Sequence, residues 1–130
     1  MTSTTTIPLP LLREGDPFAD RLATDGQTLD RAALTTLQLN IGKLCNLACG
    51  HCHVEAGPRR TELMTWETMT RMLAWIDAHA PRIGLQTVDI TGGAPEMNPH
   101  FRPFVEAVRA RGLHVIDRCN LTILLEPGYE

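Results

Sequence analysis

The sequence predicts an α/β fold with parallel strands. Three short runs, at residues 35–42, 85–93 and 113–119, have the length, alternation or β-branched content that is typical of strands. The two segments between them repeat apolar residues at the three- and four-residue spacing of a helix with one buried face. Strands that alternate with amphipathic helices form right-handed βαβ units, so we expect the three strands to lie parallel in one sheet.

The first strand and the first helix of this series enclose a loop rich in cysteine. The run "TTLQLNIG" alternates leucine and isoleucine with polar residues and ends in glycine, as a half-buried strand does. Thr65 is placed to cap the helix that follows, and Pro81 is expected to end it. The predicted buried face of this helix consists of Met69, Met72, Leu73, Ile76 and Ala80.

The second half of the pattern repeats the first. "LQTVDITGG" combines β-branched residues with a Gly-Gly stop and predicts the second strand. Asn98 and Pro99 offer a helix start, Gly112 offers a stop, and Pro103 suggests that the regular helix begins a few residues late. "LHVIDRC" is a third apolar run of strand length.

Length and charge limit the possible functions. The chain has 130 residues, with 15 acidic and 12 basic side chains and a net charge of −3, so it lacks the basic excess that nucleic-acid binding requires. No stretch reaches the roughly eighteen apolar residues of a membrane span, and the N-terminus does not resemble a signal peptide. We therefore expect a cytoplasmic protein that has no nucleic-acid or membrane partner.

Composition divides the chain into two parts. Residues 1–35 are rich in threonine and proline and predict an N-terminal extension, with a short helical possibility at 17–23. Residues 36–130 carry the alternating pattern and predict a core domain of three β/α units. Because nothing after Pro127-Gly128 completes such a sheet, we expect the core to be incomplete and the chain to be an N-terminal fragment.

Three cysteines lie close together in one segment, residues 43–60, which we call the cysteine loop. Cys45, Cys49 and Cys52 form a C-x3-C-x2-C array, and such an array in a reducing compartment indicates metal binding or redox chemistry. Thiolates are soft ligands, so zinc and iron-sulfur clusters are the candidates. The spacing differs from both ferredoxin patterns, which supply four thiolates. Three thiolates on a four-iron cubane would leave one iron open to another ligand.

Two motifs resemble those of the radical S-adenosylmethionine (SAM) enzymes. "CNLACGHC" is similar to their cluster-binding C-x3-C-x-Φ-C loop, with His51 at the position Φ that is usually aromatic. "TGGAPE" at residues 91–96, which we call the glycine segment, is similar to their G-G-E-P segment, with Ala94 and Pro95 in place of Glu-Pro. The resemblance implies that the cysteines hold a [4Fe-4S] cluster, and that Gly92 and Gly93 bring the main chain to the methionine moiety of SAM.

Longer stretches narrow the resemblance to one subgroup. "NIGKLCNLACGHCHVEAGPRRTE", "TVDITGGAPEMNPHFR" and "HVIDRCNLTIL" resemble the radical SAM/Cys-rich domain proteins, which include the arsenosugar biosynthesis enzymes. This resemblance implies the N-terminal part of a partial (β/α)6 barrel. It also implies cleavage of SAM to a 5′-deoxyadenosyl radical, transfer of the deoxyadenosyl group to a methylated arsenical, and an electron donor such as flavodoxin or ferredoxin. A peptide maturase acting on a peptide substrate is the alternative within the class.

Several side chains keep more than one interpretation. A non-catalytic zinc-binding module is possible if His51, His53 or Cys119 completes a site with the three thiols. By resemblance His51 lies near the adenine, whereas His53 and Glu55 are expected to be structural or solvent-facing. Glu96 suits a local helix cap. Cys119 follows the third strand and is either a small buried hydrophobe or a substrate-facing thiol; no catalytic residue beyond the cluster is assigned.

Overall fold

The computed structural model describes residues 17–29 and 33–129. Its helices and strands are α1 (Pro17–Thr24), β1 (Thr36–Asn40), α2 (Trp66–Ile83), β2 (Thr87–Thr91), α3 (Phe101–Arg109) and β3 (His114–Asp117). Two compact units are present, Met1–Ala32 and Ala33–Glu130. The proposed extension at 1–35 lies partly outside the described residues, and its boundary stays a prediction. No helix in the described ranges combines the length and apolarity needed to cross a membrane.

The three strands form one parallel sheet in the order β1-β2-β3. Leu39 of β1 is in register with Ile90 of β2, and Ile90 is in register with Asp117 of β3. The predicted α/β class and its parallel strands are therefore confirmed. Because the three strands are parallel, the loops that follow them all leave the sheet at its carboxyl edge.

One face of the sheet carries the hydrophobic core. Residues of α2 and α3 pack on this face at the positions that the helical spacing predicted, with Met69, Leu73 and Ile76 buried on α2. Phe104 and Val108 are fully buried on α3. The buried members of the core are Leu39, Ile41, Met69, Leu73, Ile76, Leu85, Val88, Ile90, Phe104, Val108 and Leu113.

The opposite face of the sheet is polar. Asp89, in the middle of β2, is only 4% exposed and accepts two hydrogen bonds from the Arg118 guanidinium, at 2.8 and 2.7 Å. Gln38 on the neighbouring strand donates a third at 3.2 Å. The Arg118 hydrogen bonds are the main cause that lowers the pKa of the Asp89 carboxyl. This face is thus built for contact with polar groups rather than with another apolar layer.

Two prolines do not have the effect expected of them. The helix α2 continues through Pro81 to Ile83, and it ends at Gly84, whose φ of 75° is the left-handed conformation of a helix C-cap. Pro81 lies in the last turn and removes only one backbone donor. Pro103 lies in the first turn of α3, where amide groups need no partner within the helix, so the helix begins at Phe101 rather than late.

Capping was predicted correctly for one helix and wrongly for the other. Thr65 caps α2, where its hydroxyl accepts a hydrogen bond from the Thr68 amide at 3.3 Å. The cap of α3 is His100 rather than Asn98. Asn98 is buried and has another task, because its amide donates to the carbonyl oxygens of Ile41 and Met64, both at 3.0 Å. It thereby ties the start of α3 to both ends of the cysteine-rich connection.

Replacing Asn98 with alanine is expected to lower the free energy of unfolding by about 1–3 kcal/mol, since the Met64 carbonyl loses its donor and the Ile41 carbonyl keeps only the hydrogen bond from the Met64 amide. Urea unfolding of the variant chain measures this. Glu67→Gln, which removes an exposed ion pair on α2, is the control and should change the same quantity by less than about 0.5 kcal/mol. An Asn98→Ala loss no larger than that of the control would contradict the assignment.

Candidate active site

Three functional segments meet at the carboxyl edge of the sheet. The cysteine loop follows β1, the glycine segment ends β2 and continues past it, and Cys119 lies two residues beyond β3. This edge is where open parallel sheets usually bind ligands. The sequence prediction that Cys119 reaches the same end of the sheet as the three clustered thiols agrees with this topology.

Backbone hydrogen bonds hold the base of the cysteine loop closed. The Met64 amide donates to the Ile41 carbonyl at 2.9 Å, and the Lys43 amide donates to the Glu62 carbonyl at 2.8 Å. Gly57 donates to Lys43 at 3.0 Å. The two ends of the loop are therefore fixed to each other, while the segment between them is presented beyond the sheet.

The three thiols differ in burial and in hydrogen bonding. Cys45 is buried, Cys52 is half-buried and Cys49 is exposed. The sulfur of Cys45 accepts a hydrogen bond from the Leu47 amide at 3.4 Å, and that of Cys52 accepts one from the Ala56 amide at 3.3 Å. The hydrogen bond from the Ala56 amide is the main cause that lowers the pKa of the Cys52 thiol. The Cys52 sulfur is thus placed to be a thiolate, the form that binds metal.

The positions of the thiols bear on the choice between zinc and a cluster. A single tetrahedral zinc holds its thiolates about 2.3 Å from the metal, and so within about 4 Å of one another. Within residues 17–29 and 33–129, the one set of three Cys, His, Asp or Glu side chains with ligand atoms mutually within 4.8 Å lies outside the cysteine loop. In a cubane each thiolate binds a different iron, which separates the sulfurs more widely. The three thiols of the cysteine loop are thus not gathered as a single zinc ion would hold them.

The glycine segment packs directly on the cysteine loop. The Gly93 amide donates to the Gly42 carbonyl at 3.0 Å, and the Ala94 amide donates to the Leu44 carbonyl at 2.9 Å. Gly92 has a φ of 153°, and a side chain there would lie 2.6 Å from the Gly42 carbonyl oxygen. A side chain at Gly93 would collide with the Leu44 carbonyl and come within 2.9 Å of the Cys45 Cβ atom. Only glycine fits at either position.

The other loop residues predicted from the sequence lie in solvent. His51, His53 and Glu55 are all exposed. Glu55 has a φ of 53°, so it occupies a left-handed position in the turn that returns from the thiols. The expectation that His53 and Glu55 are structural or solvent-facing is consistent with these positions, and exposed His51 has room for a stacked ligand.

A network of side-chain hydrogen bonds connects the loop after β3 to the cysteine loop, and it was not predicted from the sequence. The Asn120 side-chain amide donates to the side-chain oxygen Oδ1 of Asn46 at 2.8 Å and to the Cys45 sulfur at 3.5 Å. Asn120 also accepts a hydrogen bond from the Thr122 hydroxyl at 3.0 Å. The signal in the sequence is a repeated Cys-Asn pair, once in the cysteine loop and once after β3.

A second group of side chains was not predicted from the sequence to lie together. The ligand atoms of Glu96, Asp117 and Cys119 lie within 4.8 Å of one another, so Glu96 is not simply a local cap. Burial, together with the neighbouring Glu96 carboxylate, raises the pKa of Asp117 to about 7. Burial and the same carboxylate also raise the pKa of the Cys119 thiol. The three side chains line a cavity of about 930 Å³, together with Arg102 and Glu106.

Comparison with known proteins agrees with this arrangement. The sequence profile of the Radical SAM superfamily matches residues 39–127, a range that includes the cysteine loop, the glycine segment and Cys119. The chain belongs to the radical SAM superfamily. The superfamily resemblance of the two motifs is therefore confirmed.

Relatives of this chain have names that are more specific than that of the superfamily. The GTP 3′,8-cyclase of Synechococcus sp. (strain CC9605) is 35% identical over 94 residues, which cover 71% of this chain and 23% of the relative. The GTP 3′,8-cyclase of Mycobacterium ulcerans is 31% identical over 114 residues, covering 79% of this chain and 30% of the relative. This radical SAM chain thus spans roughly a quarter of the length of these relatives. No solved structure matches significantly.

Radical SAM membership implies a [4Fe-4S] cluster and SAM as cofactors. The residues present fit the cluster, because two of the three thiols accept backbone hydrogen bonds and the pKa of one is lowered. The glycine segment also fits its ligand, because without side chains at Gly92 and Gly93 a ligand can come close to the backbone. The relatives named above are GTP 3′,8-cyclases, so the narrower arsenosugar resemblance remains a proposal.

Gly93→Ala is expected to disrupt the contact between the glycine segment and the cysteine loop, because its methyl group meets a backbone carbonyl that cannot rotate away. We expect a loss of about 1–3 kcal/mol in the free energy of unfolding, the usual cost of overpacking. Gly50→Ala is a matched control within the cysteine loop, since nothing lies within 4 Å of its added methyl group. Equal unfolding midpoints for the two variants in urea would contradict the proposed contact.

The pH dependence of stability should report on Asp117. Its folded pKa, about 7, lies above the ordinary aspartate value of 3.8, so its contribution to stability is fully present below about pH 4. That contribution is lost as pH rises through about 7. In metal-free chain, Asp117→Asn should flatten the fall in unfolding free energy between about pH 4 and pH 7. Glu106→Gln should keep the wild-type slope, and parallel curves for wild type and Asp117→Asn would refute the assignment.

Proposed function

We propose that this chain supplies the cluster-binding and SAM-binding part of a radical SAM enzyme. Cys45, Cys49 and Cys52 would hold the [4Fe-4S] cluster, and the backbone at Gly92 and Gly93 would bind the methionine moiety of SAM. When bound and reduced, the cluster supplies the electron that cleaves SAM to methionine and a 5′-deoxyadenosyl radical. The reducing cytoplasm suits such a cluster, and a small electron-transfer protein such as flavodoxin or ferredoxin is the expected donor.

The observation that carries this proposal is the backbone contact between the glycine segment and the cysteine loop. The amides of Gly93 and Ala94 are used in bonds to the loop, so the segment is fixed beside Cys45. A ligand that bridges an iron at the loop and the backbone of the glycine segment would therefore meet both at a defined separation. Exposed His51 would lie at the same loop, available to the adenine of SAM.

For the substrate, we infer a small soft molecule such as a methylated trivalent arsenical, with transfer of the deoxyadenosyl group to arsenic. The long sequence resemblance to the arsenosugar subgroup supports this inference. The cavity lined by Cys119 supports it as well, because this thiol lies in the wall and trivalent arsenic binds sulfur strongly. A peptide maturase remains the alternative.

GTP is the second candidate substrate, because the curated relatives are named GTP 3′,8-cyclases. The charges around the cavity do not favour it. The wall carries the carboxyl groups of Glu96, Asp117 and Glu106 and a single arginine, Arg102. A triphosphate would be repelled by such a wall, since like charges at close range oppose binding. If the whole protein binds GTP, we expect the phosphates to bind elsewhere.

Replacing any one of Cys45, Cys49 and Cys52 with alanine is expected to abolish cluster binding, since a cubane held by two thiolates is not retained. Iron and acid-labile sulfide per chain after anaerobic reconstitution measure this, and wild type should contain about four of each. Cys119→Ala is the matched control and should keep its cluster. The EPR spectrum of the reduced wild-type chain should also change when SAM is added.

Full iron and sulfide content in the Cys49→Ala chain would refute the ligand assignment. Zinc without sulfide in wild type would instead support the zinc-binding module. A GTP-dependent release of 5′-deoxyadenosine from the whole protein, with no response to a methylated arsenical, would replace the arsenical with the nucleotide as substrate.

A further inference from the structure

Glu96, Asp117 and Cys119 come from two different connections of the fold. Glu96 lies in the short 3₁₀ turn Pro95–Met97 that follows β2, Asp117 is the last residue of β3, and Cys119 comes two residues later. Their ligand atoms, two carboxylate oxygens and one sulfur, lie mutually within 4.8 Å. Nothing in the cluster and SAM chemistry proposed above uses this group.

The Glu96 carboxylate lacks the partners that a buried charge requires. Both of its oxygens are buried, and their neighbours among the described residues are the Asp117 carboxyl and the Cys119 thiol rather than an N–H group or a cation. None of the ion pairs among the described residues includes Glu96 or Asp117. Asp89 in β2 is the contrast, since it is buried and is bound by Arg118. A buried carboxylate without a cation is unfavourable.

Protons are one way to relieve this crowding. The Asp117 carboxyl and the Cys119 thiol can each carry a proton beside the Glu96 carboxylate. A cation is the other way, because it neutralises the carboxylates and binds the deprotonated thiol. Arg102 lies in the wall of the same cavity but forms no ion pair with Glu96 or Asp117 in the described structure.

We propose that Glu96, Asp117 and Cys119 form a binding site for a divalent cation of the zinc class. The donor set selects this class, because a thiolate disfavours magnesium and calcium whereas two carboxylates disfavour copper(I). Zinc accepts both sulfur and carboxylate oxygen, and three protein ligands leave a fourth position for water or another ligand. Binding displaces the protons of Asp117 and Cys119 into solvent, with no oxidation or reduction.

The open fourth position would face the cavity of about 930 Å³ that the three side chains line. A cation there would give an otherwise acidic wall a positive centre, to which an oxygen of a cavity ligand can bind. The site is separate from the three thiols of the cysteine loop, so its existence does not depend on the function proposed above. Zinc binding at this site and cluster formation at the loop are measured independently.

The test is zinc binding to cluster-reconstituted chain from which adventitious metal has been removed with a chelator. Equilibrium dialysis against zinc, followed by determination of zinc, iron and sulfide on the same sample, should give about one zinc per chain in addition to the cluster. Cys119→Ser, Glu96→Gln and Asp117→Asn should each weaken zinc binding at least about tenfold, since even outer-shell changes at metal sites cost 10–100-fold. Zinc X-ray absorption should show a sulfur near 2.3 Å that is lost in Cys119→Ser.

Glu106→Gln is the matched control, because Glu106 lines the same cavity but is not part of the three-residue group. It should leave zinc affinity unchanged. The proposal is overturned if wild type binds no zinc beyond the cluster, or if Cys119→Ser and Glu96→Gln bind zinc as wild type does. It is also overturned if zinc and iron are lost together in these variants, since the effect would then lie in the fold or in the cysteine loop.

Discussion

The close approach of two backbones determines the rest of this structure. The glycine segment lies against the cysteine loop with carbonyl oxygens where side-chain atoms would otherwise be, and two amide-to-carbonyl bonds hold it there. A loop of about twenty residues has considerable freedom on its own, and closing it costs conformational entropy. By joining the loop to a strand end, this contact gives the first thiol a fixed position relative to the sheet. The arrangement requires glycine twice, which explains why the motif is recognisable from sequence.

The loop after β3 stabilises the same carboxyl edge of the sheet through a different kind of hydrogen bond. Backbone bonds connect the first two loops, whereas side-chain amides connect the third, through Asn120 and Asn46. The polar face of the sheet continues this pattern, since Asp89 and Arg118 join β2 to the residue after β3. The helices cover only the other face with apolar groups. Chemistry is therefore concentrated on one edge and one face, and the packing that stabilises the fold lies on the opposite side.

Much of this structure follows from local sequence, and the remainder does not. Strand alternation, the helical face of α2 and the Thr65 cap depend on neighbours within a few residues, so they were predictable. The effects of Pro81 and Pro103 on their helices were predicted wrongly. The effect of a proline depends on which helical turn it occupies, and turn boundaries are not visible in the sequence. The cysteine and glycine motifs are contiguous and were found. The grouping of Glu96 with Asp117 and Cys119 depends on strand register, which brings together residues that are distant in sequence.

The order of the strands has a consequence for synthesis of the chain. Each strand pairs with the strand before it, so no pairing waits for a later part of the sequence. The cysteine loop, the glycine segment and every backbone bond between them lie within residues 41–96. We expect this corner to assemble once the glycine segment has left the ribosome, because all of its partners are then outside and folding proceeds as the chain emerges. The ligand loop would then already have its shape when the third strand is made.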